Sequence, residues 1–131
     1  MQPQPVPTPP GFVLLGMLLA TLGVGCAIGV ASTDTGHVAR ALFGVVAMLS
    51  LVLVEALWWV RPWVVRTADA WMVACIGAGL FAGLVTTSGQ LEALLTGALL
   101  ALCFVGLPCT AVHWYVRDRA FRLGLAPGTA P

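Results

Sequence analysis

The chain has 131 residues, 60% hydrophobic and 8% charged, with a formal net charge of +1 and a mean hydropathy of +0.98. A soluble domain carries about 25% charged residues, so six Arg, no Lys and five acids cannot coat a water-exposed enzyme of this length. The same balance excludes a disordered tail and a nucleic-acid binder, which needs a basic footprint. What remains is an all-α integral membrane protein of one small domain.

A spanning helix needs about 20 mostly apolar residues, because each residue rises about 1.5 Å through a hydrocarbon layer roughly 30 Å thick. The chain opens on a Pro-rich segment, residues 1–11, read as a flexible tail. The first span is expected over 12–31, uncharged throughout. It carries Gly16, Ala20, Gly23 and Ala27 at helical spacing, and a GxxxG made by Gly25 and Gly29. A loop from Ser32 to Arg40 follows, holding Asp34 and His37. The second span is expected over 41–60, interrupted once by Glu55, and Pro62 closes it. Arg61 to Asp69 is read as a loop and 70–88 as the third span, with a second GxxxG at Gly79 and Gly83. Gly89 and Gln90 read as a tight turn before a fourth span over 91–116, which includes Gly97, Pro108 and His113. Residues 118–131 read as a tail. Short connections of this kind make an antiparallel up-down bundle the expected architecture.

The spans orient themselves. With an even number of crossings both termini share a side with the Arg61–Asp69 segment, and that side holds Arg61, Arg66, Arg117, Arg119 and Arg122 against Arg40 alone on the other. The positive-inside rule places the arginine-rich side in the cytoplasm. Trp58, Trp59, Trp63, Trp71, Trp114 and Tyr115 fall at the same boundary and read as headgroup anchors alongside the arginines. The absence of Lys and Asn, with only two Ile, is the bias of a GC-rich genome, so a bacterial plasma membrane is the expected location. An internal echo, Trp58-Trp59-Val60-Arg61 against Trp114-Tyr115-Val116-Arg117, suggests two parallel copies of a helical hairpin.

Few residues can carry chemistry. Glu55 is the one acid well inside a span, where a carboxylate must be paired, protonated or wetted. His113 lies at a similar depth on the fourth span, so a Glu55–His113 pair is geometrically open. Pro108 cannot donate a backbone hydrogen bond and marks a weak point over 106–110, where Thr110 can bond back to the carbonyls of the preceding turn. The cysteines fall into two pairs matched in depth, Cys26 with Cys103 and Cys75 with Cys109, but show no CxxC or adjacent pair. His37 and His113 lie at opposite boundaries and cannot ligate one haem iron. No phosphate loop, nucleophile elbow or zinc motif is present. No catalytic residue, cofactor or metal is therefore expected.

Two functional classes fit. The first is a structural or accessory subunit that docks in the bilayer against other membrane proteins or itself through its small-residue faces. The second is a small oligomeric proton-coupled transporter with Glu55 as the coupling acid.

Overall fold

The computed structural model describes residues 8–31, 36–85 and 91–125. Within them the chain is helical: α1 Pro10–Ala31, α2 His37–Trp58, α3 Val64–Val85, α4 Leu91–Ala101, a π-helical turn Leu102–Gly106, and α5 Leu107–Arg122. The last three run as one rod, Leu91–Arg122, so four helical rods are each long and apolar enough to cross a membrane. Their outer surface is apolar: Leu14, Leu18, Ile28, Val73, Leu99 and Phe104 are each more than half exposed.

Several boundaries differ from the sequence expectation: α1 starts at Pro10, inside the expected 1–11 tail, and α2 ends at Trp58, not at 60. Helix α2 starts at His37, not at 41, with the amide of Arg40 donating to the Gly36 carbonyl over 3.0 Å, so His37 and Arg40 lie in its first turn. Helix α3 starts at Val64, not at 70, and includes Arg66 and Asp69. The turn needs only Arg61 to Trp63, and the run Val64, Ala68, Trp71 and Cys75 is one apolar helical face, buried throughout. Helix α5 runs on to Arg122, so 118–122 is helix rather than tail. The expected tight turn at 89–90 and the loop residues 32–35 lie outside the described residues.

The C-terminal ends of α2 and α5 are built alike. Arg61 N–H donates to the Ala56 carbonyl over 2.9 Å and Val60 N–H to the Leu57 carbonyl over 3.4 Å. Leu125 N–H donates to Ala120 over 2.9 Å and Gly124 N–H to Phe121 over 3.0 Å. Both are Schellman caps, which need a left-handed residue just past the helix. Gly124 supplies it at φ 71°, whereas α2 uses Val60 at φ 49°. These caps do not coincide with the echo expected from sequence. Trp58–Arg61 ends a helix, while Trp114–Arg117 lies inside α5.

The rods pack in chain order. Helix α1 lies along α2, α2 also meets α3, and α3 meets α4, the π-helical turn and α5. Small residues make these contacts close. A Cβ on Gly16 would meet the Trp58 indole nitrogen at 2.6 Å, and one on Gly23 would meet the Ser50 Cβ at 3.3 Å. A Cβ on Gly79 would press on Val105 at 3.1 Å, and one on Gly83 would meet the backbone carbonyl of Gly97 at 2.7 Å. Gly25 and Gly29, expected in the same kind of seam, face outward instead: a Cβ on either meets nothing within 4 Å. Both lie off the α1 stripe of Phe12, Gly16, Leu19 and Gly23, which is buried.

The core is concentrated toward the arginine-rich end. Phe12, Leu53, Ala56, Leu57, Val64, Val116 and Ala120 are fully buried there, whereas α4 buries no residue. Phe12 meets Tyr115 edge to face at 6.3 Å and 74°, which brings α1 beside α5 at this end.

Two stability outcomes follow. Val60→Gly relieves the left-handed valine and should raise stability by about 1 kcal/mol, read as a higher melting temperature in detergent. Gly83→Ala forces a methyl onto the Gly97 carbonyl and should cost about 1–3 kcal/mol. Gly77→Ala, placed in open space, should not destabilise, so melting the two side by side separates close packing from helix propensity.

Candidate functional site

The candidate residues fall in two places. The first is the arginine-rich end, where His113 of α5 is buried and its Nδ1 lies 3.1 Å from Asp69 Oδ1 of α3. The carboxylate is half exposed, its side chain 54% accessible. The approach is off-axis, so Nδ1 makes no aligned hydrogen bond. The contact is an ion pair when the imidazole is protonated. The expected Glu55–His113 pair does not form. Helix α3 lies between α2 and α5, and Glu55 sits on an exposed face of α2. Asp69 holds the position beside His113 because α3 begins six residues earlier than expected, which turns a presumed loop acid inward toward α5. The buried 64–68–71–75 period was the sequence signal for this.

The anchors at this end divide by burial. Trp58, Trp59 and Trp114 are exposed at 47%, 69% and 66%. Trp63 is half-buried against the core. The Tyr115 ring lies under the Arg119 guanidinium, 5.7 Å from its centroid, a cation–π contact. Arg61, Arg66, Arg117 and Arg119 are all exposed, and Arg122 pairs with Asp118 at 2.9 Å along α5. Trp71 is not a surface anchor. It is 3% exposed, and its indole N–H donates to Ser50 Oγ over 2.9 Å. Ser50 in turn donates to the Val46 carbonyl over 2.7 Å. The correction again comes from the early start of α3, which carries Trp71 two turns inward from the helix end.

The second place is a central apolar cavity of about 430 Å³, lined from α1, α2, α3, the π-helical turn and α5. Val46, Trp71, Cys75 and Cys109 belong both to its wall and to the buried core. Pro108 forms part of its wall. The π-helical turn directly precedes this proline, with Leu107 N–H reaching back five residues to the Leu102 carbonyl. Wider bonding of this kind accommodates a residue that has no N–H to give and whose ring crowds the preceding turn. Thr110 Oγ1 donates to the Gly106 carbonyl over 2.7 Å, which steadies the first turn of α5.

The cysteines separate sharply. Cys103 is exposed on the outside, so the depth-matched Cys26–Cys103 pair does not form. Cys26, Cys75 and Cys109 all line the cavity. Cys75 and Cys109 are buried, and their side chains interact across the cavity they both line, from α3 and α5. Among the described residues no group of three or more His, Cys, Asp or Glu side chains is arranged to hold a metal ion.

The Trp71–Ser50 bond gives a clean test. Ser50→Ala leaves a buried indole N–H without an acceptor and should cost about 1–3 kcal/mol. Trp71→Phe removes the donor and leaves Ser50 bonded to Val46, so the double variant should melt close to Trp71→Phe alone. Thermal unfolding of the three proteins reads this.

No protein-family model, no curated protein and no solved structure matches this chain.

Proposed function

We propose that this chain is a multi-pass protein of a bacterial plasma membrane, its rods forming an antiparallel bundle with both termini and the arginine-rich end in the cytoplasm. Within that membrane it acts as an accessory subunit that docks against another membrane protein. The observation that carries the reading is the Gly25 side of α1. The seams at Gly16, Gly23, Gly79 and Gly83 are filled by helices of this chain, whereas Gly25 opens onto a groove of about 600 Å³ that also includes Leu18, Thr21 and Gly29. In lipid, helices associate by close packing at small residues rather than by hydrophobic drive. A smooth, uncharged groove on the outer face of a spanning helix is a seat for a helix from a partner.

The transport reading loses its intramolecular basis. Glu55 faces outward and His113 is turned to Asp69, so a coupling role for Glu55 requires a second copy to enclose it.

The test is co-purification from native membranes in mild detergent. The wild-type chain should bring down a stoichiometric membrane partner. Gly25→Leu should lose that partner while melting as the isolated wild type does. Recovery of the wild type as a clean monomer overturns the docking role. A reporter fused to the C-terminus that folds outside the cytoplasm overturns the orientation.

A further inference from the structure

The central cavity has a chemistry that docking does not use. Its walls are apolar, and the indole N–H of Trp71, its one strong donor, is already committed to Ser50. Three thiols from three different elements converge on it: Cys26 from α1, Cys75 from α3 and Cys109 from α5. Two of them, Cys75 and Cys109, are buried and interact with one another. The fourth cysteine of the chain is the exposed Cys103, outside the cavity.

Thiols serve as metal ligands, as nucleophiles or as two-electron reductants. The surroundings decide among these. A bis-thiolate complex of a monovalent soft cation carries a net negative charge, which is costly in a wall that offers it no compensating partner. Divalent zinc asks for four donors, and the described residues hold no cluster of even three. A disulfide is neutral, as are the two thiols that form it. The chemistry that suits this cavity is one in which protons leave together with electrons.

The acceptor must then be neutral, apolar and able to take both. Phe43, Trp71 and Phe104 border the cavity, which makes part of its wall aromatic. Phe104 is 76% exposed, so the cavity reaches the outer apolar surface beside it. At about 430 Å³ the space falls in the usual range of small-molecule sites, roughly 300–1,000 Å³.

We propose that Cys75 and Cys109 form a redox dithiol that is oxidised by a lipid-soluble quinone bound in the central cavity. The two S–H bonds break and one S–S bond forms between Cys75 and Cys109. Both electrons and both protons pass to the quinone, which leaves as the hydroquinone, and no net charge is created in the cavity. The disulfide ties α3 covalently to α5. Cys26 lines the same space and takes no part in the bond. The inference goes beyond the docking role and stands without it, because it concerns the isolated chain.

The experiment uses the full-length chain, purified in detergent under anaerobic conditions and fully reduced. A short-chain benzoquinone analogue is added, the protein is denatured in SDS, and free thiols are counted by the gel shift of a maleimide-polymer adduct. Two of the chain's four thiols should disappear, with one hydroquinone formed per chain by ultraviolet absorbance, and a dithiol reductant should restore them. Cys103→Ser should behave as wild type, whereas Cys75→Ser and Cys109→Ser should each abolish hydroquinone formation. Cys75→Ala and Cys109→Ala replace the serine variants if those fail to run as a single species on gel filtration. The proposal is overturned if the quinone leaves all four thiols free, or if the Cys75/Cys109 double variant still reduces it. It is also overturned if mass spectrometry finds a thiol–quinone adduct in place of the disulfide, or if a general thiol oxidant closes the pair but the quinone does not.

Discussion

Helix α3 is held by the buried bond from Trp71 to Ser50 and a set of very close approaches, and the remainder of the fold is arranged around it. Trp71 reaches across to Ser50 of α2, while Gly79 and Gly83 let the π-helical turn and α4 come within van der Waals contact on its other side. In a chain so poor in charge, ion pairs cannot do this; in the membrane proposed for it a water-driven collapse between helices cannot either, since lipid solvates leucine as well as another helix does. Dispersion at close range and a satisfied indole N–H are what is left. That explains why the central helix carries both the glycines and the buried tryptophan.

The same economy shapes the cavity. Large side chains fill the arginine-rich end, where Phe12 meets Tyr115 and the Leu53–Leu57 turn packs under Val64 and Val116. Farther along, α4 buries nothing, and the π-helical turn ahead of Pro108 sets the rod's path. The space between is bounded by Cys26, Cys75 and Cys109 together with Ala78, Gly79 and Ala82, set among larger side chains such as Leu22, Val46 and Val112. Three cysteines at this position are three side chains too small to close it.

Much of the fold was legible in the sequence because hydropathy depends on composition, and four apolar stretches of spanning length are hard to misread. The weak point at Pro108 and the back-bond from Thr110 were legible too, since both follow from a missing N–H. What depth along a helix does not reveal is rotation about its axis. Glu55 and His113 sit at similar depths, yet they face different neighbours, because α3 stands between their helices. Charge also misled. Arg66 and Asp69 look like loop residues when a span is required to be uncharged, although the apolar period through Val64, Ala68, Trp71 and Cys75 runs straight past them. That error moved Trp71 to the surface and hid the acid that faces His113. The glycines behave similarly: spacing identified Gly23 and Gly25 alike, but only Gly23 lies on the buried stripe.

The outer groove and the inner cavity are not independent features. Leu22, Cys26 and Phe43 border both. A helix seated at Gly25 would rest against the side chains that separate the groove from the thiols. Any preference of a partner for one arrangement of Leu22 and Phe43 must then be matched by an equal effect of a cavity ligand on partner affinity, because coupling between two binding equilibria is reciprocal. A disulfide between α3 and α5 would act from the opposite wall, stiffening the helices against which Phe43 and Leu22 face. The docking and the thiol chemistry proposed above therefore sense one another through two apolar side chains, Leu22 and Phe43, with no charged residue needed to carry the signal.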